Sequence, residues 1–139
     1  MGTYAGALFV AGQNSGDSDR VHRYDGSTLT TLQPTVTLAD SFLEFDGALY
    51  FVAGLGEPFL ELYRHCDGSE SIERVTTLFD SNDDHFNHGL IAFGDRIYFL
   101  ADEDLTTGRE LWSLDPMQPI FCDGFRDGDD DRWSSTVGG

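Results

Sequence analysis

The side chains in this sequence that could do chemistry are carboxylates and histidines. Twenty-five acidic residues stand against eight basic ones in 139 residues, a formal charge of −17, and every basic residue is arginine. Two stretches concentrate them. In Asp80-Ser81-Asn82-Asp83-Asp84-His85-Phe86-Asn87-His88, the two histidines have ligand-like spacing with Asp83 and Asp84 beside them. Zinc sites need three or four convergent ligands, so this reads as a solvated loop between repeats. In Asp127-Gly128-Asp129-Asp130-Asp131, the carboxylates of Asp127, Asp129 and Asp131 are the candidate metal ligands. Calcium is the ion that oxygen clusters of this kind suit, although the glycine at the sixth place of an EF-hand loop is missing. The expectation is no resident cofactor, with Ca²⁺ the cation to test.

No nucleophile elbow, phosphate-binding loop, dinucleotide fingerprint or H-E-x-x-H pattern occurs. A glycosidase needs two carboxyl groups at a set separation, and with so many acids sequence proximity carries no such information. The reading is therefore a non-catalytic binding or assembly module; the alternative is a propeller-type hydrolase of glycans. The acidic balance repels phosphate backbones and anionic membranes, which argues against nucleic-acid partners. No apolar run approaches the length of a bilayer-spanning helix, so no membrane insertion is expected. Acidic, lysine-free surfaces are similar to those of proteins from salt-loving organisms; an acidic extracellular protein encoded by a GC-rich genome is the equal alternative. Two cysteines, Cys66 and Cys122, are too few for a disulfide framework; free thiols are the default reading and a single bridge the alternative, which spacing does not decide.

These residues must be positioned by strands. Around the centre of the chain, Phe42–Phe45 leads through Asp46-Gly47, a strong hairpin signal, into Ala48–Ala53. That second run is apolar at odd and even positions alike, which predicts burial on both faces. Phe59–Arg64 is a third run, and Ile72–Leu78, alternating better, reads as an exposed outer strand. The pattern has copies on both sides. Leu8-Phe9-Val10-Ala11-Gly12 matches Tyr50-Phe51-Val52-Ala53-Gly54, and Tyr98-Phe99-Leu100-Ala101 matches again. Ala11 and Ala53 are 42 apart (53 − 11), Ala53 and Ala101 are 48 apart (101 − 53), and Asp25-Gly26-Ser27 precedes Asp67-Gly68-Ser69 by 42 (67 − 25).

A period in the forties with four strands per unit is the signature of a β-propeller blade. The expected fold is all-β, with β-propeller-type repeats of four-stranded antiparallel blades, three blades per chain. Blade 1 covers about residues 4–40, blade 2 about 41–80 and blade 3 about 89–126. The first strand of blade 1 is expected to be missing, and the tail segment 132–137 has the strand character to complete it. Three blades do not close a ring, because four to eight are needed. The expected partner is a second copy, since a homodimer would make a six-bladed ring; the alternative is that the sequence is a fragment of a longer repeat protein.

The loops Gly12–Asp19, Gly54–Pro58 and Asp102–Gly108 join second to third strands in all three units, so the fold predicts that they share one end. Recognition residues in propellers lie on such loops. The candidate ligand-binding residues are Asn14, Asp17, Asp19, Glu57, Phe59, Asp102, Glu103 and Asp104. They suit a polar ligand such as a glycan, or a protein partner. Trp112 and Tyr63, at equivalent places, are expected in the core.

At Gly108-Arg109-Glu110-Leu111-Trp112-Ser113-Leu114-Asp115 the chain resembles the bacterial ELWxxDGT repeat family. Glu110, Leu111, Trp112 and Asp115 are kept, while Pro116-Met117 replaces the Gly-Thr. Glu61-Leu62-Tyr63 with Asp67-Gly68-Ser69 is a second copy carrying one extra residue. Arg20-Val21-His22 followed by Asp25-Gly26-Ser27 is a third, more degenerate one. The resemblance implies a propeller-like fold and an extracellular or cell-surface setting. It carries over no catalytic residue, because the motif positions are turn and packing residues.

Overall fold

The computed structural model describes residues 1–12, 20–33, 36–54, 60–76, 86–102 and 109–115. It is all-β with three antiparallel sheets, open at their edges and not closed into a ring. Sheet 1 holds β1 (Gly2–Tyr4), β2 (Ala7–Gly12), β3 (Arg20–Tyr24) and β4 (Leu29–Thr31) in sequence order. Sheet 2 holds β5 (Thr37–Phe45), β6 (Ala48–Gly54), β7 (Leu60–Cys66) and β8 (Ile72–Arg74), again in order. Sheet 3 has three strands among the described residues: β9 (Phe86–Phe93), β10 (Arg96–Asp102) and β11 (Arg109–Leu114).

The sheets pack in chain order, with sheet 2 in the middle. All seven residues of β6 are buried. Leu49, Phe51 and Ala53 enter the core shared with sheet 1, where they meet Tyr4, Phe9 and Val21. Ala48, Tyr50 and Val52 point the other way, into the core shared with Ile97, Phe99 and Ala101 of sheet 3. The two-sided apolar run thus has a direct cause: the strand alternates between two cores, and each side chain has one to fill.

Two corrections to the sequence reading concern boundaries. The first strand of sheet 1 is present: Gly2–Tyr4 pairs with Ala7–Phe9 around an Ala5-Gly6 turn. The segment 132–137, expected to supply that strand, lies outside the described residues. Phe86–His88, read as part of an inter-repeat loop, belongs to β9. A three-residue strand is too short to announce itself by alternation, and one aromatic followed by polar residues reads more easily as loop.

A third correction concerns register. The turns Ala5-Gly6 and Asp46-Gly47 both place their two central residues at positive φ (48° and 74°; 46° and 72°), as a type I′ hairpin requires. They are 41 positions apart (46 − 5), not 42. By that count Phe9 corresponds to Tyr50, and both face the following sheet. The likeness of LFVAG to YFVAG would have aligned Phe9 with Phe51, which faces the preceding sheet. A slip of one residue moves a strand's whole apolar set to the other face, so the cores rather than the letters decide the alignment.

The β1–β2 strands approach sheet 2 closely. A Cβ on Gly2 would lie 2.6 Å from the Cβ of Phe42, so this position takes glycine for want of room. Beyond β4, Leu32 donates its N–H to Val21, Gln33 donates to Glu70 and Ile72 donates to Gln33, at 2.7–3.0 Å. The chain thereby passes from the outer strand of sheet 1 along the outer strand of sheet 2, burying Leu32 and Val36 between the two sheets. β5 pairs with β6 through two irregularities, and Leu38 and Ser41 have positive φ there. β9 is irregular opposite Phe99, as β5 is opposite Phe51. The Gly89 N–H donates to Ser41 Oγ across the gap at 3.0 Å.

Candidate functional site

Most of the residues singled out for binding lie outside the described residues: Asn14, Asp17, Asp19, Glu57, Phe59, Glu103 and Asp104. The same holds for Asp127, Asp129 and Asp131, and for His85. Asp102 is described as the last residue of β10, opposite Arg109. His88 is placed within β9. Among the described residues there is no group of three or more metal-ligating side chains. Cys66 is disulfide-bonded, against the expectation of free thiols; Cys122 lies outside the described residues. Tyr63 is core, stacked on Phe51 at 6.0 Å, and Trp112 packs against the second core.

Polar chemistry among the described residues gathers between sheets 1 and 2. Tyr4 is buried in β1, and its hydroxyl donates to the Gly47 carbonyl while accepting the Asp67 N–H at 3.0 Å. One phenol therefore ties sheet 1 to two turns of sheet 2. Burial, the main cause, pushes its pKa up. Beneath it, His65 is buried with its ring 5.1 Å from that of Phe9 and edge-on to that of Tyr4 at 6.2 Å. Its Nδ1–H donates to the Ser71 carbonyl at 3.1 Å, while Nε2 is buried with no hydrogen-bond partner. Burial holds its pKa below the usual imidazole value, and Arg23 adds to the effect; the Ser71 carbonyl and Asp67 oppose it.

The sign of the pH effect follows. Below about pH 6.5 the unfolded chain binds a proton at this histidine that the folded chain resists. Stability should therefore fall as pH drops through that value toward the depressed folded pKa. Melting curves from pH 7.5 down to 5.5 should show this slope, and His65→Gln should flatten it. An unchanged slope in the variant would remove His65 as its cause.

At the far end of β7, Glu61 is buried and accepts the Thr76 hydroxyl proton, with Arg74 at 3.7 Å. Thr76 Oγ1 also accepts the Leu62 N–H at 3.0 Å. Arg74 Nε in turn donates to the Thr76 carbonyl at 2.8 Å. A polar cleft of about 290 Å³ opens between the two sheets, lined by Arg23, Thr30, Leu32, Asp67, Ser69 and Glu70. Beside it, the Asp25 carboxylate accepts the Ser27 and Thr28 N–H groups at 2.9 and 2.8 Å. Those bonds lower its pKa to about 2. The second Asp-Gly-Ser turn is held differently: Asp67 offers its N–H to Tyr4, and Ser69 Oγ takes the Ser71 N–H. These are bonds that set turns and join sheets.

The surface that stands out lies on the far side of sheet 3. Phe93, Leu111 and Ile91 are 75%, 69% and 66% exposed, with Leu100 also exposed and Tyr98 half-buried among them. The pairings Tyr98↔Ile91 and Leu100↔Leu111 put them side by side on one face. The Phe93 and Tyr98 rings lie 6.4 Å apart. Ser113 and Arg96 share the face and are hydrogen-bonded to each other at 3.2 Å. Acidic residues stand at the margin of this patch: Arg96 is also ion-paired with Asp115 at 3.7 Å, and Asp102 holds the β10 position after Tyr98 and Leu100 on the same face. Single exposed apolar residues need no explanation; four adjoining ones around a half-buried tyrosine are a contiguous apolar patch.

Sequence reasoning did not pick out this face. Its signal was nonetheless present, because β10 is apolar at both parities like β6, whose two faces are both covered. Family models, curated proteins and solved structures yield no match to this chain.

Proposed function

We propose that this chain is a non-catalytic binding and assembly module made of propeller-type repeats. The observation that carries it is the open face of sheet 3, where Ile91, Phe93, Leu100 and Leu111 adjoin one another in water. Three sheets stacked in chain order, each with its strands in sequence order, support the repeat reading. So does the passage from the outer strand of one sheet to the first strand of the next. In this reading the second-to-third-strand loops, including Asp102 at the end of β10, carry recognition of a polar ligand such as a glycan.

Light scattering over the micromolar range tests the assembly half. The expected result is a mass above 15.4 kDa that rises with concentration and with salt, since screening relieves repulsion between acidic copies. A mass of one chain at every concentration and salt would overturn that half. Turnover of a glycan substrate would overturn the non-catalytic half.

A further inference from the structure

The open face of sheet 3 is a positional copy of a face already buried inside the molecule. Hairpin and strand pairing set the correspondence. Ile91 pairs with Tyr98 as Leu43 pairs with Tyr50, and Leu111 pairs with Leu100 as Leu62 pairs with Val52. Phe93 similarly stands opposite Arg96 as Phe45 stands opposite Ala48. In sheet 2 these positions meet sheet 3: Tyr50, Val52 and Leu62 are fully buried, and Leu43 and Phe45 pack against them. Sheet 3 therefore presents outward the set of positions with which sheet 2 holds its neighbour.

Sheet 1 has the complementary vacancy. Leu8, Val10, His22 and Tyr24 correspond, at the 41-residue offset, to Leu49, Phe51, Tyr63 and His65. Those four are all buried beneath sheet 1. In sheet 1 itself the same positions look outward, with Leu8 36% and Tyr24 40% exposed. The two open faces are thus the two halves of the contact that already occurs twice inside the chain.

We propose that the outer face of sheet 3 docks on the outer face of sheet 1 of a second copy of this chain, head to tail. This rests on the assembly reading and names its surface. Two copies joined by two such contacts bring six sheets together, within the range at which stacked sheets close. Each contact removes the exposed apolar side chains of both faces from water, with the Arg96–Asp115 ion pair at the margin of the sheet 3 face.

The experiment is sedimentation equilibrium of the whole chain and of four single variants. Leu111→Glu and Phe93→Glu place a charge on the outer face of sheet 3; Leu8→Glu and Tyr24→Glu place one on that of sheet 1. The wild-type chain should reach twice 15.4 kDa. Each variant should raise the dissociation constant at least about ten-fold, the equivalent of ~1.4 kcal/mol. Circular dichroism should show all four variants folded; Leu111→Glu and Phe93→Glu, at the most exposed positions, should melt near wild type, whereas Tyr24→Glu also loses its hydroxyl's bond to the Gly26 carbonyl at 2.8 Å. Loss of association in the sheet 3 pair with none in the sheet 1 pair would overturn the proposal, since sheet 3 would then be pairing with itself. Wild-type dissociation constants in all four would overturn it too. Either result leaves the assembly reading standing, whereas a wild-type chain that never associates removes that reading as well.

Discussion

Phe51→Ala should destabilise the chain by about 3–5 kcal/mol, the largest loss expected from any single truncation here. Phe51 is fully buried in the central strand of the central sheet. Its ring stacks between Phe42 at 5.3 Å and Tyr63 at 6.0 Å. Truncation removes the ring's transfer free energy, and it also leaves a hole that stacked neighbours on strands of fixed spacing cannot close. Total stabilities of domains run to about 5–15 kcal/mol, so the variant should approach the unfolding threshold. Urea titration followed by tryptophan fluorescence would measure it. A loss below about 1 kcal/mol would mean that sheets 1 and 2 do not pack through this ring. Leu38→Ala, at an exposed position outside both proposed contact faces, is the control and should change little.

Thr76→Val should cost about 2–4 kcal/mol, although the two side chains have nearly the same shape. The Thr76 hydroxyl does two things at once: it accepts the Leu62 N–H and donates to Glu61. All three groups are buried. Valine leaves a buried N–H without that acceptor and a buried carboxylate short of one donor, and each loss carries a desolvation penalty. Thr76→Ser keeps the hydroxyl and should recover most of the difference. If Val and Ser variants melt together, methyl packing rather than the hydroxyl matters at this site. The comparison also asks whether Glu61 is held by Thr76 or mainly by Arg74, 3.7 Å away.

The sequence carried the strand content well, for a physical reason visible in particular residues. Ala48–Ala53 is apolar at every position, and only a strand with covered faces on both sides uses such a run in so short a length. Asp46-Gly47 marks its turn because a type I′ hairpin needs two residues at positive φ, and few pairs accept that. Other features left no trace. The irregularities of β5 at Leu38 and Ser41 occur in residues that do not favour positive φ, so neighbouring sheets rather than local preference must hold them there. Gly2 looks like any terminal glycine until the Cβ of Phe42 is found beside it. Thr76 and Tyr4 look like ordinary residues because their partners are 14 and 63 positions away.

The candidate site divides along the same line. Acidic loop residues were legible as polar and solvent-facing, but apart from Asp102 they lie outside the described residues, so their placement rests on the repeat reading. The apolar face of sheet 3 was hidden by its own likeness to a core strand: Tyr98 and Leu100 read as interior because Tyr50 and Val52 are. Whether such a residue is covered depends on whether another sheet lies over it, and no local pattern encodes that.

By itself, then, the chain's order of residues determined strands, turns and an approximate repeat, because those follow from side-chain periodicity and backbone preference over a few residues. Only tertiary structure decided which face each strand turns to which neighbour, because a one-residue slip reverses the choice and long-range packing is what selects between the two. The same packing leaves sheets 1 and 3 each with one face open, and that open pair is where the function proposed for this protein begins.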